Sequence, residues 1–117
     1  MIFLVEDSRI ISFSEFLDKE KSHKLYVRLV LSEDSKSVDE FAVCLIKIEF
    51  DLYCEIVRYD CARDERLHIH RFYKKPPEKA VLSALPEWEA VEKCISDIKN
   101  NWQEYSKKHF KSRHFSK

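Results

Sequence analysis

Between Lys24 and Tyr73 the chain alternates apolar and polar residues with the period of two that marks strands half buried in a sheet. Lys24 to Ser32 sets Leu25, Val27, Leu29 and Leu31 against Tyr26 and Arg28. Phe41 to Phe50 sets Ala42, Cys44, Ile46, Ile48 and Phe50 against Lys47 and Glu49. Tyr53 to Asp60 returns after a reversal at Asp51-Leu52, and Leu67 to Tyr73 follows a charged turn at 62–66. Connections this short predict an antiparallel meander of four strands.

A two-residue turn at Asp51-Leu52 pairs Ile46 with Val57 and Cys44 with Tyr59. A reversal centred near Arg63 pairs Tyr59 with Leu67 and Val57 with Ile69. One face is then expected to gather Leu25, Val27, Leu29, Leu31, Ala42, Cys44, Ile46, Ile48, Val57, Tyr59, Leu67 and Ile69. The other holds Arg58, Asp60, His68 and His70 at one edge, with Val43, Leu45 and Ile56 nearby.

The flanks read differently. Ile2 to Val5 predicts a short strand returning through Glu6-Asp7-Ser8 to Ile10-Ile11, and Ser12 or Ser14 could cap a helical turn carrying Phe13, Phe16 and Leu17. Pro76-Pro77 is expected to end the sheet, because paired prolines cannot continue a ladder. From about Pro86 to His109, Trp88, Val91, Ile95, Ile98, Trp102 and Tyr105 recur every three or four residues, the stripe of an amphipathic helix. Glu87, Glu89 and Glu92 suit its positive end and Lys107 and Lys108 its negative end. Trp88 and Trp102 are expected in the core. The pattern predicts one α+β domain over residues 1–117: a variable N-terminal segment (1–20), an antiparallel sheet (24–73), a long C-terminal helix on one sheet face (86–109) and a basic tail (110–117).

Composition narrows the functional classes. Lys plus Arg and Asp plus Glu are equal at 21 each, so no global field draws the protein to nucleic acid or membrane. Residues 107–117 nonetheless hold Lys107, Lys108, Lys111, Arg113 and Lys117 with no acid, a basic end on an acidic body. Glycine is absent, where average usage would supply roughly eight. No glycine-rich phosphate loop can be built, which excludes Rossmann and Walker nucleotide binding. The four cysteines, Cys44, Cys54, Cys61 and Cys94, lack Cys-x-x-Cys spacing and predict no structural zinc. The opening apolar run meets Glu6 and Asp7 at once, and no stretch has membrane-spanning length, so a cytoplasmic protein without membrane partners is expected.

The chemistry concentrates in Tyr59 to Tyr73. His68 and His70, two apart on a strand, must project from one face, with Asp60, Arg58, Arg66 and Arg71 within a few positions. Three readings follow. Two imidazoles and a carboxylate form the donor set of an open iron or zinc site in a metal-dependent hydrolase. Two imidazoles without metal could act as acid and base on RNA, with arginines and the basic tail holding phosphates. Or the half-apolar second face is an interaction surface, for a twin subunit or another protein.

The string Glu55-Ile56-Val57-Arg58-Tyr59-Asp60-Cys61-Ala62, then His68-x-His70, then Ser96-Asp97-Ile98-Lys99-Asn100-Asn101-Trp102-Gln103-Glu104-Tyr105 resembles small prokaryotic proteins related to the TumE-like toxins of toxin–antitoxin modules. The likeness covers roughly residues 25–106. It implies a toxin-like protein, possible endoribonuclease activity, a cognate antitoxin as partner, and a site at Tyr59, Asp60, His68 and His70. In the relatives a His commonly follows Tyr-Asp-x-Ala, where this chain has Arg63, and the glycine usual in that turn is missing. With the resemblance, His68 and His70 become the acid–base candidates and Asp60 their orienter, alongside Tyr59. Arg58, Arg66, Arg71, Lys107 and Lys108 are the phosphate candidates, and no cofactor is expected.

Overall fold

A computed structural model describes residues 9–62, 65–82 and 85–115, with side chains to Arg113. These residues form a six-stranded antiparallel sheet in sequence order. The strands are β1 (Ile10–Phe16), β2 (His23–Leu31), β3 (Val38–Glu49), β4 (Leu52–Cys61), β5 (His68–Arg71) and β6 (Glu78–Val81), followed by one helix, α1 (Trp88–Phe115). The α+β class is as the sequence implied, but two strands are additional. Ile10-Ile11 is extended as expected, but residues 12–16 are not a helical turn: Ser12 and Ser14 alternate with Ile11 and Phe13, and the whole segment pairs with β2. The sheet also resumes after Pro76-Pro77, where β6 pairs with β5. The strand expected at Ile2 to Val5 lies outside the described residues.

The central register differs from expectation by one residue. Leu45 pairs with Val57 and Val43 with Tyr59, because the reversal is at Phe50-Asp51 and a bulge interrupts the β3–β4 ladder next to Leu45 and Ile46. A slip of one turns every β3 side chain over. Phe41, Val43 and Leu45 therefore join Leu25, Val27, Leu29, Val57, Tyr59 and Ile69 in the core, while Ala42, Cys44 and Ile46 lie on the opposite face. Ile56, the residue β3 leaves unmatched, is fully buried in the same core as Val57. Without glycine, the turns place ordinary residues at positive φ: Lys21 (58°), Ser35 (59°), Phe50 (53°) and Asp51 (62°). Two consecutive positive values at Phe50-Asp51 are what a two-residue type I′ hairpin turn demands.

Helix α1 lays Ala90, Val91, Cys94 and Ile98 on the core face, with Ile95, Trp102 and Tyr105 partly buried beside them. Trp88 is not a core residue; it is 42% exposed, and its Nε1 donates to the Lys36 carbonyl at 2.9 Å. The helix runs beyond His109, so Lys107 and Lys108 sit before its last turn and not at its end. At the edge of the core, Asp97 accepts hydrogen bonds from the Tyr59 hydroxyl at 2.7 Å, the Tyr105 hydroxyl at 2.6 Å and Asn101 Nδ2 at 2.8 Å. Burial, then these bonds to the Asp97 carboxylate, push both phenols well above their ordinary titration range. The clamp fixes α1 to β4.

Candidate functional site

The sheet face turned away from α1 is built from cross-strand rows. One row reads Ser12, Arg28, Ala42, Asp60, His68, Val81, and the next Ser14, Tyr26, Cys44, Arg58, His70, Lys79. His68 and His70 thus project together beside Asp60 and Arg58, as strand alternation requires. His70 Nε2 lies 3.0 Å from Asp60 Oδ2, and Arg58 Nε donates to that same oxygen at 3.1 Å. Arg58 Nη1 also donates to Glu55 Oε2 at 2.9 Å. The Phe72 ring stacks on His70 at 5.7 Å and carries the Arg58 guanidinium 5.4 Å from its centre. Arg58 thus bridges Glu55 and Asp60, Asp60 meets His70, and the Arg58 and His70 side chains share the Phe72 ring.

His68 is buried, and its Nδ1 makes no hydrogen bond; Glu65 Oε2 is 3.7 Å away. A cleft of ≈ 230 Å³ lies over Ala42, lined by Arg28, Glu40, Phe41, Asp60, Cys61 and Ala62. Its depth follows from the small side chain in the middle of the row. Arg28 and Asp60 flank Ala42, on strands roughly 10 Å apart. Among the described residues no carboxylate pairs with Arg28, which is exposed. Cys44, under the Glu55 carboxylate, is an inert thiol: burial first, and that carboxylate second, push it up to about 12.

The sequence-derived site divides. His68, His70, Asp60 and Arg58 are brought together. Tyr59 is removed from them, since it faces α1 and donates to Asp97. Arg71 pairs across the ladder with Val57, on the covered side, and bonds Glu78 at 2.5 Å. Lys107 and Lys108 lie on α1, beyond the sheet from the imidazoles, near Glu104 and the Tyr73 ring respectively. Arg66 is exposed in the β4–β5 connection; Arg63, before it, lies outside the described residues. Among the described residues no group of three or more His, Cys, Asp or Glu converges as a metal site. Arg28, Glu40 and Phe72 were not singled out from the sequence. Arg28 was legible by parity, opposite Leu25, Val27 and Leu29, but its neighbourhood depended on the β3 register.

A second constellation sits under the helix. Asp18 Oδ2 lies 3.3 Å from His23 Nδ1, and His23 Nε2 lies 2.8 Å from Ser106 Oγ. Partial burial raises the Asp18 carboxyl, but hydrogen bonds from Ser22 and His23 outweigh it and hold the group lowered to about 2. The order Asp–His–Ser is that of a hydrolase triad, yet Ser106 lies within α1, whose backbone N–H groups are taken by the helix ladder. No donors remain there for an oxyanion. The cluster ties the β1–β2 connection to α1.

Residues 7–115 match the model of a family described as Domain of unknown function (DUF7718), and the chain belongs to that family. No curated protein and no solved structure matches it. No described helix is long and apolar enough to cross a membrane.

Proposed function

We propose that the protein is a toxin-like enzyme that cleaves RNA by acid–base chemistry on the open sheet face. The observation that carries this reading is the His70–Asp60 contact of 3.0 Å, with His68 on the same face one pleat away. A carboxylate at Nε2 fixes the ring and leaves Nδ1 for proton exchange. Residues i and i+2 of a strand stand roughly 7 Å apart, which allows a phosphorus between two rings each about 3 Å from the oxygen it serves. His70 would take the 2′-hydroxyl proton and His68 would protonate the leaving oxygen. Arg58 is already held by Glu55 and Asp60, so the phosphate contact passes to Arg28 across the cleft.

A second reading, a face that binds a protein partner such as a cognate antitoxin, is favoured by exposed Ile10, Phe16 and Val81 bordering the same rows. Induced expression separates the two. The enzyme reading expects growth arrest by the wild type and none by His68→Ala/His70→Ala expressed at equal level. Equal growth of both strains would rule it out.

A further inference from the structure

A cleft of ≈ 490 Å³ lies at the other end of the molecule, between the β3–β4 hairpin and the end of α1. Its lining is Lys47, Glu49, Phe50, Leu52, Tyr53, Cys54 and Arg113. Cys54 Sγ sits 3.8 Å from His109 Nε2, and His109 is 5% exposed with its Nδ1 free of any hydrogen bond. The other three cysteines differ in kind. Cys44, Cys61 and Cys94 are buried, and burial raises each thiol, to about 12 for Cys44 and Cys94. Only Cys54 is partly open, opens on a cleft, and has an imidazole beside it. Burial first, then Arg113 and Lys47, lower the His109 pKa, so that ring is a neutral proton acceptor at physiological pH.

We infer that Cys54 is a nucleophilic thiol whose cleft takes small anionic disulfides of the tripeptide-thiol class, with His109 as its proton acceptor. The cleft brings two cations, Lys47 and Arg113, against one acid, Glu49, with Arg113 and Glu49 3.9 Å apart. Ligand carboxylates meet the cations while the apolar part rests on Phe50, Leu52 and Tyr53. The Cys54 thiol gives its proton to His109 Nε2, and the thiolate attacks one sulfur of the incoming disulfide. The S–S bond of the ligand breaks as a new one forms to Cys54. The departing thiolate recovers the proton from His109, so the protein thiol is oxidised and the small disulfide reduced.

The test uses the full chain with oxidised glutathione as probe, followed by intact mass and peptide mapping. One glutathionyl group is expected, on Cys54 alone, and none on Cys54→Ser. Arg113→Gln, on the exposed side of the helix end, should slow the reaction several-fold with oxidised glutathione but not with the cationic disulfide cystamine. His109→Gln should slow both probes by on the order of tenfold. Labelling spread over Cys44, Cys61 and Cys94, or a Cys54 rate no faster with the anionic probe than with cystamine, would overturn the proposal. Loss or retention of RNA cleavage does not bear on this site.

Discussion

Tyr59→Phe removes one oxygen from the clamp between β4 and α1 and separates a structural role from a catalytic one. The hydroxyl donates to Asp97 at 2.7 Å at the edge of the core, and Tyr59 is only 8% exposed. A hydrogen bond to a charged acceptor contributes about 1.5–3 kcal/mol. Asp97 keeps Tyr105 and Asn101 after the change, so no carboxylate is orphaned and the loss should fall at the low end, about 1.5–2 kcal/mol. In urea that corresponds to a midpoint lower by roughly 0.5–1 M at unchanged slope. Tyr105→Phe should cost a similar amount. The double variant should lose more than the sum, because Asp97 then keeps only Asn101. The matched assay is RNA cleavage, which Tyr59→Phe should leave at wild-type rate. A variant with unaltered urea midpoint but lost cleavage would refute the assignment and return Tyr59 to the active site.

Other parts of the fold carry their own expectations. Phe50→Asn with Asp51→Gly relieves two positive-φ residues while removing a side chain that is 92% exposed, and should stabilise the protein by about 1–2 kcal/mol in the same urea titration. No gain would mean the turn is not type I′ in solution. Asp18 is lowered to about 2, so it stabilises the folded state above the ordinary carboxylate value near 4 and loses that contribution as pH falls through about 2. Asp18→Asn should therefore cost about 1–2 kcal/mol at pH 7, and the gap to wild type should close between about pH 4 and pH 2. A gap that stayed constant across that range would show that the carboxylate charge is not what matters. Arg28→Ala should raise KM for RNA several-fold with little change in stability; an unchanged KM would remove Arg28 from the site.

The strands β2, β3 and β4 and the helix were legible as elements, β2 and the helix because a single period dominates each. Leu25, Val27, Leu29 and Leu31 leave no choice of face, and the parity of Tyr59 already placed it toward α1. The β3 register was not legible because both parities of that strand are apolar: Phe41, Val43 and Leu45 compete with Ala42, Cys44 and Ile46. The competition is decided by the turn at Phe50-Asp51 and the bulge at Ile56, neither of which has a glycine or asparagine to announce it. Strand β6, Glu-Lys-Ala-Val after two prolines, is too short and polar to carry a period and depends on the β5 edge for its pairing. His68 and His70 were found because i, i+2 spacing fixes a face without knowledge of register, and Asp60 joined them because the β4–β5 ladder, two residues from the expected pairing, keeps the same parity. Arg28 and the cleft over Ala42 needed the register itself.

The central claim is that His70, held by Asp60, removes a 2′-hydroxyl proton. Incubation of purified protein with an end-labelled single-stranded RNA, and with the same strand 2′-deoxy at the cleaved position, tests it most directly. The account predicts products ending in a 2′,3′-cyclic phosphate, no cut at the deoxy position, and a rate at least about 100-fold lower for His70→Ala. Intact RNA with wild-type protein, or equal cleavage by His70→Ala, would contradict it.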